Sequence, residues 1–181
     1  MVALKPSEVD AFVRKPPANV SLVLVYGSDE GLVAERGRAI VKAVAGSLDD
    51  PFTLVRLSGS DLTGDAARLV DEALTVSMFG GRRVVWLRDL GRANVAGALE
   101  PLFALKDLTS LVVVEAGDVK KGAALLKPFE ETVTAAALPC RSDDGAALAR
   151  LIDEELKQAG LTIEPRPPAA LEAQLGAHPL P

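Results

Sequence analysis

Histidine and cysteine each occur once in the 181 residues, as His178 and Cys140. One cysteine excludes an internal disulfide framework. One of each, in unrelated segments, makes neither a Cys–His dyad nor a zinc site. Aromatic residues make up only 4% of the chain, so Leu, Val and Ala have to build the core. No apolar run reaches the roughly 18 residues of a membrane span. The stretch from Met1 to Pro17 lacks the apolar region of a signal peptide, so a cytoplasmic protein is expected. Positive charge is not in excess either. The formal net charge of -5 argues against a stand-alone nucleic-acid binder, which normally carries a basic domain.

What is present is a globular composition, 49% hydrophobic and 25% charged, and a regular order of apolar runs. Ser21–Tyr26 (SLVLVY) reads as a strand buried on both faces. From Asp29 to Leu48 an apolar stripe at helical spacing follows, through Leu32, Val33, Ile40, Val41 and Val44. Phe52–Leu57 is a second predicted strand, with Gly59 and Gly64 bracketing a turn. A helix is expected over Asp65–Thr75, a third strand over Arg83–Leu87 and a short helix over Asn94–Leu105. Ser110–Glu115 is the fourth strand, Gly122–Glu131 a helix and Val133–Leu138 an Ala-rich fifth strand. Strands alternating with helices imply a parallel sheet covered on both faces. Residues 1–140 are therefore read as one α/β domain. Past Cys140 the pattern turns helical, with Asp143–Ala159 as a long helix, a stiff TIEPRPP linker and a further helix beginning at Pro168. Residues 141–181 are expected to be the start of a small helical domain, cut short.

The segment VYGSDEGLVAERG, Val25–Gly37, lies where a phosphate-binding loop would lie, between a strand and a helix. Such a loop needs G-x-x-x-x-G-K-[ST]: backbone N–H groups cradle the phosphates, Lys reaches them and the hydroxyl holds magnesium. Gly27 is in place, but Leu32, Val33 and Ala34 occupy the second Gly, Lys and hydroxyl positions. Asp29 and Glu30 suit the positive end of a helix and repel an anion. A turn with a carboxylate cap is the preferred reading, and a degenerate P-loop NTPase the alternative. The strand-end carboxylates Asp89, Glu115 and Asp118 form no adjacent pair for magnesium and read as loop caps. A second segment, LTVSMFGGRRVVW, Leu74–Trp86, ends a helix in Ser77-Met78-Phe79, turns at Gly80-Gly81 and enters a strand through two arginines. Met78 and Phe79 either fold back onto the core or project as an apolar anchor for a partner.

The succession LVLVYGSDEGLVAERGRAIVKAV, VSMFGGRRVVWLRDL and SLVVVEAGDVKKGAALLKPFEE, in this order and spacing, resembles the delta subunit of the bacterial DNA polymerase III clamp loader. The resemblance implies an AAA+/P-loop-like parallel five-stranded sheet with flanking helices, then part of a helical lid. The family's collar domain has no counterpart in the chain. It also implies a nucleotide loop that has lost ATP binding, in agreement with Leu32, Val33 and Ala34. No catalytic residue, cofactor or metal is expected, only a non-catalytic subunit of a nucleotidyltransferase holoenzyme active in DNA replication. The family's apolar wedge falls on Ser77, Met78 and Phe79, flanked by Thr75, Val76 and Arg82. It enters a pocket on the sliding clamp and holds the ring open. Leu74 stands where clamp-binding peptides often begin with Gln. Lys120, Lys121, Leu125, Leu126 and Phe129 match a family helix and are assigned to structure. The implied partners are the sliding clamp (beta) and the gamma/tau and delta-prime subunits. DNA contact, for which Arg82, Arg83, Lys120 and Lys121 offer charge, is expected only within the assembled complex.

Overall fold

The computed structural model describes residues 6–77, 80–105, 108–120 and 122–140. The chain divides into two compact units, Met1–Ser142 and Asp143–Pro181. The expected helices of the second unit lie outside the described residues, as do Met78, Phe79 and Lys121.

The first unit runs α1 (Pro6–Arg14), β1 (Leu22–Gly27), α2 (Glu30–Ala45), β2 (Leu54–Ser58), α3 (Gly59–Gly64), α4 (Arg68–Leu74), β3 (Val84–Arg88), α5 (Val95–Phe103), β4 (Leu111–Ala116), α6 (Leu126–Glu131) and β5 (Ala135–Cys140). All five predicted strands form, each starting one or two residues later than the apolar run that marks it. They make one parallel sheet in the order β2-β3-β4-β1-β5. The order reverses beside β1, which pairs with β4 on one side and β5 on the other.

Alternate strand residues feed two separate cores, as the period of two requires. Leu22, Leu24, Val85, Leu87, Val112 and Val114 pack with Leu69 and Ala73 of α4, Leu99 and Leu102 of α5 and Phe129 of α6. Val23, Val25, Val84, Trp86, Leu111 and Val113 pack with Val9 and Phe12 of α1 and with Val33, Ile40 and Val41 of α2. Helices therefore cover both faces, and the central strands are buried throughout. Phe103 meets Phe129 edge-on at 5.0 Å between ring centres, a favoured aromatic geometry.

Three elements differ from the sequence reading. Helix α1 was not expected, because its buried stripe is only Val9 and Phe12 in a polar segment. Helix α3 stands where a turn was expected. Its first glycine is required by close approach, since a Cβ on Gly59 would lie 2.0 Å from the Leu90 carbonyl oxygen. Helix α6 begins at Leu126 instead of Gly122, because Gly122 sits at φ 80° and turns the chain first.

Candidate functional site

In a parallel sheet all strands present their carboxyl ends on one edge, and ligands enter where the strand order reverses. Here that position lies beside the end of β1, and the chain fills it with its own groups. Gly27 donates its N–H to the Gly117 carbonyl at 3.1 Å. A Cβ on Gly27 would stand 1.6 Å from the Cys140 carbonyl oxygen, so β1 and β5 close tightly there. Asp29 is the N-cap of α2, and its carboxylate accepts the Leu32 N–H at 2.9 Å. Its carbonyl accepts from Val33 N–H at 2.9 Å. The backbone donors that would face a phosphate are thus partly occupied by a carboxylate, which also satisfies the helix dipole. Val33, at the Lys position, is buried in the core under α2.

Glu115, read from sequence as a loop cap, is instead a buried carboxylate, 8% exposed. The parallel register sets Trp86 beside Val113, and the side chain two residues on reaches back. Trp86 Nε1 donates to Glu115 Oε1 at 2.7 Å, and Arg88 Nε donates to Oε2 at 3.0 Å. The Arg88 guanidinium also lies over the Trp86 ring at 4.6 Å. The carboxylate presses against α2 at Gly37, where a Cβ would come within 2.1 Å of Oε1. Burial pushes the Glu115 pKa up, against the Trp86 and Arg88 hydrogen bonds that lower it. Nearby, Arg36 donates to the Pro139 carbonyl at 3.1 Å and to Cys140 Sγ at 3.5 Å. Burial holds the Cys140 thiol pKa above its ordinary value. Asp89 follows β3 with φ 48°, a left-handed conformation that Asp tolerates. Among the described residues, no three His, Cys, Asp or Glu side chains converge as a metal site.

The amino-terminal edge of the sheet has a different character. Helix α4 delivers the chain to this edge, and β3 leaves it. Leu74 closes α4 and is 51% exposed, and Val76 is 72% exposed. Thr75 Oγ1 donates to the Asp71 carbonyl at 2.7 Å, and Ser77 Oγ donates to the Gly80 carbonyl at 2.8 Å. Gly80 and Gly81 both take φ 79°, which only glycine adopts without strain, so two successive left-handed residues reverse the chain. Met78 and Phe79, between these points, lie outside the described residues.

The two arginines that follow point inward. Arg82 Nη2 donates to the carbonyls of Val20 at 2.6 Å and Ser110 at 3.2 Å, and to Ser21 Oγ at 3.3 Å; its Nε donates to Thr109 O at 3.2 Å. Burial lowers the Arg82 pKa from its ordinary value. Arg83 Nη2 pairs with Glu72 Oε2 at 2.5 Å and Nη1 with the Phe52 carbonyl at 3.2 Å. Sequence marks both as a basic pair, but it does not signal that their charge is turned onto the protein's own backbone. Lys120 is exposed.

No helix among the described residues is long and apolar enough to cross a membrane. The sequence has no match among curated proteins. A solved structure with the same fold is that of a DNA polymerase III gamma subunit-related protein from Thermotoga maritima MSB8, with a TM-score of 0.53 at 12% identity. The alignment covers 81% of this chain and 49% of that one, so the chain spans about half the length of that protein. The family model described as DNA polymerase III, delta subunit, matches residues 23–136, more than half of the chain. Strands β2, β3 and β4, the loop after β1 and the glycine turn before β3 all lie within that match, and the chain belongs to the DNA polymerase III delta-subunit family.

Proposed function

We propose that this chain is the clamp-opening part of a replicative clamp loader and performs no chemistry of its own. The observation that carries the reading is the exposed apolar pair Leu74 and Val76, which leads directly into Met78-Phe79 and the Gly80-Gly81 turn. Large apolar side chains left in water beside a sharp turn are suited to a partner's pocket. Ser77, Met78 and Phe79 enter a pocket on the sliding clamp, and Leu74, Thr75 and Val76 lie along its rim. Arg82 flanks the contact from below. The mechanism is differential binding: a wedge that binds the open ring better than the closed one shifts the population toward opening by that difference in affinity.

Residues 141–181 contribute to a helical lid. The gamma/tau and delta-prime subunits are further partners, and DNA is met in the assembled complex. The chain works without nucleotide. Support comes from the Asp29 carboxylate on the Leu32 N–H and from the apolar, buried Val33 at the lysine position. Calorimetric titration with ATP and magnesium is expected to give no heat of binding at micromolar concentrations, and saturable micromolar binding counts against this part of the reading.

The clamp contact is tested by binding of the sliding clamp from the same source to the chain and to a Met78→Ala, Phe79→Ala variant. Burial of each large apolar side chain stabilises by about 1.5–3 kcal/mol, so the double variant should bind at least about a hundredfold more weakly. Equal affinity for the two proteins would sink the assignment.

A further inference from the structure

A basic pair after a glycine turn, in a protein of DNA replication, invites a phosphate contact. The geometry gives the pair another task. Among the described residues, a Cβ on Gly80 or Gly81 would meet nothing within 4 Å. The described contacts that place the turn lie at its two ends.

On the incoming side, α4 is fixed at its last turn. The buried Ser110 hydroxyl donates to the Ala73 carbonyl at 2.5 Å, and Glu72 accepts from Arg83 at 2.5 Å. On the outgoing side, Arg82 gathers acceptors from the segments entering β1 and β4. Arg83 joins α4 to the segment entering β2 through Glu72 and the Phe52 carbonyl. Two adjacent guanidinium groups thus tie the arm's base to the chain entering three other strands. A planar fork with five donors can bridge separated acceptors in this way, and a single ammonium cannot.

We propose that Arg82 and Arg83 are positioning residues that hold the exposed residues Leu74–Val76 and the Gly80-Gly81 turn in their partner-binding arrangement. The inference rests on the reading that this arm contacts the sliding clamp. Its physical content is pre-organisation: an arm already placed loses less freedom on binding. When only a fraction of molecules holds the competent arrangement, the apparent affinity falls by that fraction. The deficit appears in the association rate, whereas a lost direct contact appears in the dissociation rate.

The test is surface-based binding kinetics of the whole chain against the sliding clamp of the same source. It compares the natural chain with Arg83→Lys, Arg82→Lys, Glu72→Gln and the Met78→Ala, Phe79→Ala variant, each confirmed by thermal melting to be folded at the assay temperature. The arginine variants and Glu72→Gln are expected to lower the association rate about five- to tenfold while the dissociation rate stays within about twofold. Should an arginine variant not fold, Glu72→Gln, which takes the charge from one tie at a partly exposed position, decides. Unchanged association rates, or faster dissociation alone, overturn the inference while leaving the clamp contact standing. If the Met78→Ala, Phe79→Ala variant binds as the natural chain does, the clamp reading itself fails and the inference falls with it.

Discussion

Trp86 on β3 donates its indole N–H to the Glu115 carboxylate on β4 at 2.7 Å, inside the face covered by α2. The carboxylate is raised in pKa above its ordinary 4.5, mainly by burial. A raised acid holds its proton longer in the folded than in the unfolded chain. Its contribution to stability is then complete below the ordinary value and is lost as pH rises through the folded value. Glu115→Gln keeps an acceptor for Trp86 and removes the titration. Denaturant unfolding of both proteins across the acid range should show a fall in stability with rising pH that the variant lacks. At neutral pH the two should agree within about 1 kcal/mol, since Arg88 is partly exposed. Glu115→Ala, which orphans the indole donor and opens a void, should cost about 2–4 kcal/mol.

Cys140 offers a probe of the same edge. It is buried, its thiol pKa is raised by desolvation, and Arg36 donates to the sulfur at 3.5 Å. The thiolate is the reactive form, and a reagent must wait for the strand to open. Reaction of a colorimetric thiol reagent with the native chain at neutral pH should be at least about a hundredfold slower than in denaturant. Equal rates would mean that β5 is not closed on β1 in solution.

Gly27 is the third point. Replacing it with Ala sets a methyl group against the Cys140 carbonyl, which only a separation of β1 from β5 relieves. The loss in unfolding free energy should reach about 3 kcal/mol or more. Gly64→Ala is the matched control. Nothing lies within 4 Å of its Cβ, and its stability should change by less than about 1 kcal/mol, in the favourable direction.

The sequence made the sheet legible because its strands are continuous apolar runs, and the helices because their stripes recur at helical spacing. The strand ends were less so. Ser58, Arg88 and Cys140 belong to strands through backbone pairing, which leaves no hydrophobic mark. The departure of Leu32, Val33 and Ala34 from a phosphate-loop pattern was readable by counting from Gly27. The burial of Glu115 was not, because it meets Trp86 across 29 residues of sequence, through a strand register that no local pattern encodes. For the same reason the GGRR motif announced charge, while its acceptors at Val20, Phe52, Glu72, Thr109 and Ser110 are set by tertiary structure.

The burial of Val33 bears on what a charged residue at this position would do. A lysine there would place an ammonium group among Ile40, Val41 and the α2 face of the sheet, a costly burial of unpaired charge. It would also leave Asp29 holding the Leu32 amide and Glu115 against Gly37. A lysine at position 33 alone would therefore not make a phosphate site, because its neighbours keep their own arrangement. The three contacts act as an interlock, in which a change at one is resisted by the others.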